Sequence, residues 1–322
     1  MGYPPAEEVP LGTYYELSTH LIALEVSRRG HEPIWLRKAA FVVDIDGVTH
    51  GWNMTRCAVT STIGAELTTR KDYTRALLRR AGLTVAAGGS YRSDDFDRAL
   101  SRARRLWPVA VKPAGRGSGH GVSVGVSDED GFRAAWELAV SPGGKVVVER
   151  VQDGEEARFL TVGGRCIAVA GRTPAQVIGD GRSTVAELVE EKNAARQDNP
   201  HLRGHTVPVR GDPHHVPASG ERVVLDDRGG FSSGADSVDL TDTAHPSYLD
   251  LAGRAELAFP QLGLSGVDII ASDYTRPATP ENHVIVEVNS RPAIGAHHFP
   301  AHGTPRDAAK AIVDACTDVT AG

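Results

Sequence analysis

VAVKPAGRGSGHGVSVGV, residues 109–126, is the stretch whose reading decides the fold. Two short β-prone runs, the first ending in Lys112-Pro113, flank a loop with glycine at 115, 117, 119 and 121. Glycine at alternate positions lets backbone N–H groups approach phosphate oxygens, since no Cβ intervenes and positive φ is open. A lysine closing the leading strand adds a point charge. The loop lacks the GxxxxGK[ST] order of a P-loop, and it runs into another β stretch where a dinucleotide-binding unit would open a helix. Taken alone it also fits an ordinary glycine-rich hairpin.

Upstream, DDFDRALSRARRLW predicts an amphipathic helix within residues 90–107, stopped by Pro108. Downstream, DEDGFRAAWELAV reads as a helix, KVVVERVQ as a strand, and FLTVGGRCIAVAGR as a hairpin turning at Gly163-Gly164. Nearer the N-terminus, LSTHLIALEVSRRG puts Leu17, Leu21, Leu24 and Ala23 on one helix face ahead of a Gly30 stop. A hairpin turns at Asp46-Gly47, and Thr68 or Thr69 caps a helix that ends at Gly82. Further on, Thr184 and Glu187 have capping-box spacing. Residues 199–242 lose periodicity, which in a compact domain marks a functional or mobile stretch. Pro246 opens a helix to about residue 262, GVDIIA and HVIVEVN are strands, and PRDAAKAIVDACTDV is a terminal helix.

The chain has 322 residues, 35 of them glycine, with 40% hydrophobic and 6% aromatic residues. That is a globular composition, and neither collagen-like nor disordered. Its formal charge of −6 offers no general attraction to nucleic acid or anionic membrane, so phosphate must be gripped locally. The three cysteines, Cys57, Cys166 and Cys316, are far apart and form no CxxC pair, which speaks against a disulfide framework or structural zinc. With no leader-like start and no long apolar run, a cytoplasmic protein is expected.

Two further groups of residues carry possible chemistry. Glu287 and Asn289 alternate along one predicted strand and so face one side, and Asp268 lies in the strand expected to pair with it. Hard oxygens converging in this way suit Mg²⁺, and a buried carboxylate without a partner or cation would be costly. The second group lies in VVVERVQDGEEARF, which sets Glu149 and Glu156 at and just beyond an apolar strand end. There the backbone could read an adenine edge and a carboxylate could take ribose hydroxyls. An exposed strand face and a plain acidic turn are the alternative readings of these two groups.

In one order along the chain, Lys71, Val111-Lys112-Pro113 with its glycine loop, Glu149 with Glu156, Asp268, and Glu287-Val288-Asn289 resemble the ATP-grasp superfamily. The resemblance runs from about residue 60 to the C-terminus and is closest to the ligase modules of cyanophycin synthetase and bifunctional glutathione synthetase. PAQVIGDGRSTVAELVEEKN, FSSGADSVDLTDTAHP and EVNSRPAIGAHHFPAHGTPRDAA sharpen it. It implies an α+β fold of two lobes gripping ATP, preceded by a small N-terminal α/β unit, with boundaries at 1–70, 71–150 and 151–322. Lys71 and Lys112 would contact phosphates, under a lid formed by the backbone of Gly115, Gly117, Ser118, Gly119 and Gly121. The hinge Glu149, Arg150 and Val151 would hold adenine, and Glu156 the ribose. Asp268, Glu287 and Asn289 would hold Mg²⁺ (or Mn²⁺), and Arg158, Arg172 and Arg291 would meet carboxylate or acyl phosphate.

The activity so implied is ATP-dependent carboxylate–amine ligation of small-molecule amino-acid substrates through an acyl phosphate, releasing ADP and phosphate. A phosphotransferase and a non-catalytic nucleotide-binding module are the alternatives. No nucleic-acid or membrane partner is expected, and a homodimer stays open. Leu264-Ser265-Gly266 lacks the arginine that D-alanine ligases carry there, which argues against D-alanine ligation. The absence of an attached amidoligase or Mur-type domain argues against long-polymer synthesis. The histidines at 201, 205, 214, 215, 297 and 298 suit hydrogen bonding or substrate lining better than a closed zinc set. Cys57 and Cys166 have no activating base visible in sequence.

Overall fold

A computed structural model describes residues 14–115, 120–140, 144–226 and 230–318. Helix α1 (Tyr14–Arg28) precedes a three-stranded sheet of β1 (Ile34–Arg37), β2 (Ala40–Ile45) and β3 (Val48–Asn53). Asp46 and Gly47, at φ 50° and 81°, make the β2–β3 turn expected of Asp-Gly. The expected face of α1 is buried at Leu17, Leu21 and Ala23, but so are Ser18, Thr19, Ile22 and Val26. The helix is enclosed, because it packs between this sheet and the last helix of the chain.

Helices α2 (Thr62–Thr68) and α3 (Lys71–Arg80) follow. Thr68 and Thr69 do not cap α3: they close α2, which sequence reading overlooked and which Ser61 caps by accepting from the Gly64 N–H at 3.0 Å. The helix expected within 90–107 is also corrected. Residues Gly88–Arg92 form strand β4, and α4 occupies only Phe96–Ala103. GGSYR has no strand-like alternation, and its extended form is fixed by pairing with a distant strand, Gly88 opposite Glu149.

Strands β5 (Val109–Pro113) and β6 (Ser123–Val126), helix α5 (Glu129–Ala139) and strand β7 (Lys145–Arg150) complete an antiparallel sheet of order β4-β7-β5-β6. Its Val109, Val111, Val146 and Val148 face α4 and α5 in a core with Phe132 and Trp136. By alternation Ala110, Lys112 and Glu149 face the other way.

Strands β8 (Glu155–Val162) and β9 (Arg165–Thr173) form the hairpin turning at Gly163-Gly164. β10 (Ala175–Ile178) leads to α6 (Val185–Arg196), where the Thr184–Glu187 capping box is present. The aperiodic stretch is more ordered than its composition suggests. It contains β11 (Arg222–Asp226), paired with β10, a 3₁₀ turn at Phe231–Ser233, and β12 (Asp236–Asp239), paired with β9. Side chains of α6 hold it: Asn193 exchanges two hydrogen bonds with Val207, and buried Arg196 donates to Asp236 and to the His205, Gly234 and Ala235 carbonyls. Helix α7 (Pro246–Leu257) stops short of 262, ahead of β13 (Leu264–Ala271), β14 (His283–Asn289), the short α8 (Gly295–His298) and α9 (Ala308–Asp318).

These strands make a five-stranded antiparallel sheet of order β12-β9-β8-β13-β14. One face, with Phe159, Val267, Ile269 and Ile285, packs on α7 and α3. On the other, Leu160, Ala168 and Leu264 pack under α1, α9 and the N-terminal hairpin. The rest of that face is polar and opens toward the four-stranded sheet. Folding also brings Cys57 and Cys316 into hydrogen-bonding reach of each other as free thiols, with His50 3.9 Å from Cys316. None of the described helices is long and apolar enough to cross a membrane.

The link from β7 to β8 turns at Gly154, φ 133°, where an added Cβ would overlap the Ala271 carbonyl. Gly154→Ala should cost about 2 kcal/mol or more in urea unfolding. Gly220→Ala, also at positive φ (82°) but facing open space, should cost only about 1 kcal/mol.

Candidate functional site

Between the two sheets lies a cavity of about 680 Å³. Ala86, Ala110, Val122 and Val124 line it from the four-stranded side, and Ile270, Val284 and Val286 from the five-stranded side. Arg150, Val151 and Gln152 close it at the hinge, with Lys112, Glu149 and Glu156 at its polar edge. Apolar walls with a few charged groups at one end suit a flat heterocycle carrying anionic substituents.

Glu149 is buried, and its carboxylate takes Lys112 on one oxygen and Arg75 on the other, the latter at 2.5 Å. Burial alone would raise its pKa, but Lys112, Arg75 and Lys71 reverse that, and it stays ionised below the usual carboxylate range. Arg75 also donates to the Ala86 carbonyl at 2.9 Å, pinning α3 to the start of β4. The Lys71 N–H donates to Ala114 at 2.8 Å, which sets the first turn of α3 beside the glycine loop. Lys71, Lys112 and Glu149 therefore come together. Arg75 was not singled out in the sequence, although it falls one helical turn after Lys71.

At the hinge, the N–H groups of Arg150 and Val151 are donated to the carbonyls of Ala87 (2.7 Å) and Pro108 (2.9 Å). Of the loop glycines, Gly121 lies at φ 73° against Pro113 and the Leu138 carbonyl, while Gly115 faces open space. Gly117, Ser118 and Gly119 lie outside the described residues.

On the five-stranded face, Asp268 stands opposite Arg158 on β8 and opposite Glu287 on β14. Arg158 holds Asp268 with two hydrogen bonds, Nε to Oδ1 at 2.8 Å and Nη2 to Oδ2 at 2.7 Å, and Arg172 lies 3.7 Å from Oδ2. Burial works to raise the Asp268 pKa, yet these two guanidiniums hold it below the usual value. Glu156 hydrogen-bonds Arg172 and is shifted upward, first by burial and then by the charge of Asp268. Asn289 pairs with Gly266 and faces the same side as Asp268 and Glu287, and its Oδ1 takes the Arg291 N–H at 2.9 Å. Among the described residues no three His, Cys, Asp or Glu side chains converge as a cage. A cation here would rely on two carboxylates and an amide, with ligand oxygens completing its shell. An ionised carboxylate has about four acceptor positions, of which Arg158 takes two, so this donor set fits a hard cation.

Beyond Arg172 the site turns less polar. Its guanidinium lies over Phe231 at 5.5 Å, and its Nε is buried without a hydrogen-bond partner among the described residues. His201 stacks edge-on to Phe231 at 4.6 Å. Buried His297 is pushed down to about 3, first by burial and then by the charge of Arg158, and so is neutral. Phe231 opens the FSSGADSVDLTDTAHP stretch that sharpens the family resemblance, but nothing in its local sequence places it against Arg172.

Two antiparallel α+β lobes closing on a cleft charged in this way are the ATP-grasp architecture, and the chain belongs to that superfamily. No family model matches it. It is 32% identical over 326 residues to cyanophycin synthetase of Trichormus variabilis, across 92% of this chain and 34% of that protein. It is also 31% identical over 320 residues to the glutathione biosynthesis bifunctional protein of Clostridium perfringens, across 93% and 41%. The chain thus spans about a third to two-fifths of these relatives. A bifunctional glutathione synthetase from Pasteurella multocida matches in structure with TM-score 0.70 and 26% identity, over 97% of this chain and 45% of that one. D-alanine–D-alanine ligase from Bacillus anthracis shares the fold at TM-score 0.51 and 14% identity, over 81% and 70%.

Replacing Glu149 by Gln leaves buried Arg75 and half-buried Lys112 facing a neutral amide, and should cost about 3 kcal/mol in urea unfolding at neutral pH. Because the folded carboxyl titrates below its ordinary 4.5, its contribution is complete above that pH and fades as pH falls through the lower folded value. The gap between wild type and Glu149→Gln should therefore narrow in acid, as parallel unfolding curves would reveal.

Proposed function

We propose that the chain is an ATP-dependent carboxylate–amine ligase that joins amino acids through an acyl phosphate. The observation that carries this reading is the pairing of two walls across one cleft. Lys112 and Glu149 line the cavity from one sheet, with Arg75 of α3 paired to Glu149, and Arg158, Arg172, Asp268, Glu287 and Asn289 lie on the face of the other sheet that also bears the cavity-lining Glu156. The relatedness to cyanophycin synthetase and the glutathione enzymes supports it.

In this reading residues 71–150 grip the nucleotide, with adenine in the apolar cavity, ribose by Glu156, and phosphates toward Lys71 and Lys112. Asp268, Glu287 and Asn289 would hold Mg²⁺, which would supply charge compensation on the phosphates when bound. Lys112 is kept in place by Glu149 and meets charge that develops on the transferred phosphoryl group without having to reorganise. The substrate carboxylate lies against Arg172 and Arg158, whose planar forks suit both it and the acyl phosphate it becomes. Attack by an amine then breaks the carbon–oxygen bond to phosphate and leaves an amide, with positioning and electrostatics carrying most of the rate. Phe231 and neutral His201 and His297 border this end of the site and give it a wall without added charge.

Purified protein given ATP, Mg²⁺ and pooled amino acids should release ADP in step with new amide masses. A phosphorylated product with no amide would instead mean phosphoryl transfer alone. Lys112→Ala and Glu287→Ala should each lower turnover by about a hundredfold or more. Full activity in either variant would remove that residue from the mechanism.

A further inference from the structure

The turn after β3 meets the strand end that carries Asn289. Buried Thr55 donates its hydroxyl to the Pro292 carbonyl at 2.9 Å, and Arg56 Nη2 donates to the Ser290 hydroxyl at 2.7 Å. Thr68 Oγ1 reaches the same Ser290 oxygen at 3.1 Å. Asn53 and Arg56 bridge each other through backbone bonds of 2.9 and 3.2 Å, with Met54 between them at φ 56°. A non-glycine residue in that region costs energy and persists only where its surroundings impose it.

The turn presents an arginine that is incompletely satisfied. Arg56 Nε is buried with no hydrogen-bond partner among the described residues, and Nη2 meets only a neutral hydroxyl. Across the bridge, Asn53 Oδ1 is likewise buried without a partner. Arg56 is held against Ser290, the residue before exposed Arg291; burial lowers the Arg56 pKa, and the like charge of Arg291 lowers it further. No described acid is paired with either arginine. Two neighbouring guanidiniums without a counter-ion, two residues from Asn289, form a site that an anion would complete.

We infer that Arg56 and Arg291 together bind the carboxylate of an amino-acid substrate that stays unreacted, which makes the N-terminal turn a specificity-determining element. The inference rests on the ligase reading, because that reaction leaves a free carboxylate on at least one amino-acid partner. It goes beyond that reading by requiring a substrate with a carboxylate besides the one activated, held by a residue outside the two ATP-gripping lobes. A carboxylate with a nearby ammonium also suits the unpaired Asn53 oxygen, which can accept from the latter.

The test reads the guanidinium groups directly. In the side-chain Nε–Hε spectrum of the full chain, pooled L-amino acids should shift the Arg56 resonance saturably, and the same pool as C-terminal amides should not. Arg291→Gln should weaken that response about tenfold or more. Arg56→Lys, which keeps the charge and a donor for Ser290, should fold as wild type and raise KM for the acid more than it lowers kcat. An Arg56 resonance that ignores the acids, or answers amides equally, would overturn the inference. ADP release and amide formation without that shift would leave ligation standing and remove this site. A shift without either product would do the reverse.

Discussion

Strand β13 is buried along nearly its whole length and still carries a carboxylate at its centre. A lone carboxylate at that depth would take up a proton, or the strand would not form there. The two-pronged contact from Arg158 answers this, and much of the surrounding geometry depends on it. Arg158 stands directly opposite Asp268, so the pair fixes the β8–β13 register: a slip of one residue would turn the slipping strand's charge into the core with Phe159 and Val267 and leave its partner alone on the other face. Arg172, one strand further, serves both Asp268 and Glu156. One buried acid thereby organises three strands and presents two arginines at the mouth of the cleft.

The opposite wall solves a similar problem with the signs exchanged. There one acid, Glu149, stands between two cations, Lys112 from its own sheet and Arg75 from α3. This wall therefore keeps an excess of positive charge before any ligand arrives, and its charges are held by short, directional contacts. Such a cleft needs no basic surface to hold a polyanion. The negative net charge of the chain is therefore no obstacle to nucleotide phosphates.

What was legible in the sequence follows from how local each determinant is. The Asp46-Gly47 and Gly163-Gly164 turns, the Thr184–Glu187 box and the apolar strands around Asp268 and Glu287 are each specified within a few residues, and all are present. Strand β4 and the pairings of β11 and β12 were not legible. GGSYR is extended because β7 lies beside it, and FSSGADSVDL is ordered because buried Arg196 gathers its carbonyls and Asp236. The candidate site divides in the same way. Alternation placed Glu287 and Asn289 on one face, whereas the clamps by Arg75 and Arg158 join residues 74 and 110 positions apart. Sequence spacing carries no trace of separations that long.

The N-terminal elements show why that distinction matters for specificity. Hairpin β2–β3 and helix α1 share their core with α9 and with Leu160 and Leu264 of the five-stranded sheet. The end of β3 is therefore held rigidly against the sheet that bears the charged face. Thr55 and Arg56 then reach Pro292 and Ser290 through side-chain bonds, at the turn just after Asn289. A change in this short turn can alter what the cleft accepts without disturbing Asp268, Glu287 or the nucleotide cavity, since none of those groups depends on it for a hydrogen bond. In the proposed reading, phosphate and metal chemistry would sit on paired strands whose register is fixed by buried charge, and recognition of the remaining substrate would vary in a turn anchored at one edge.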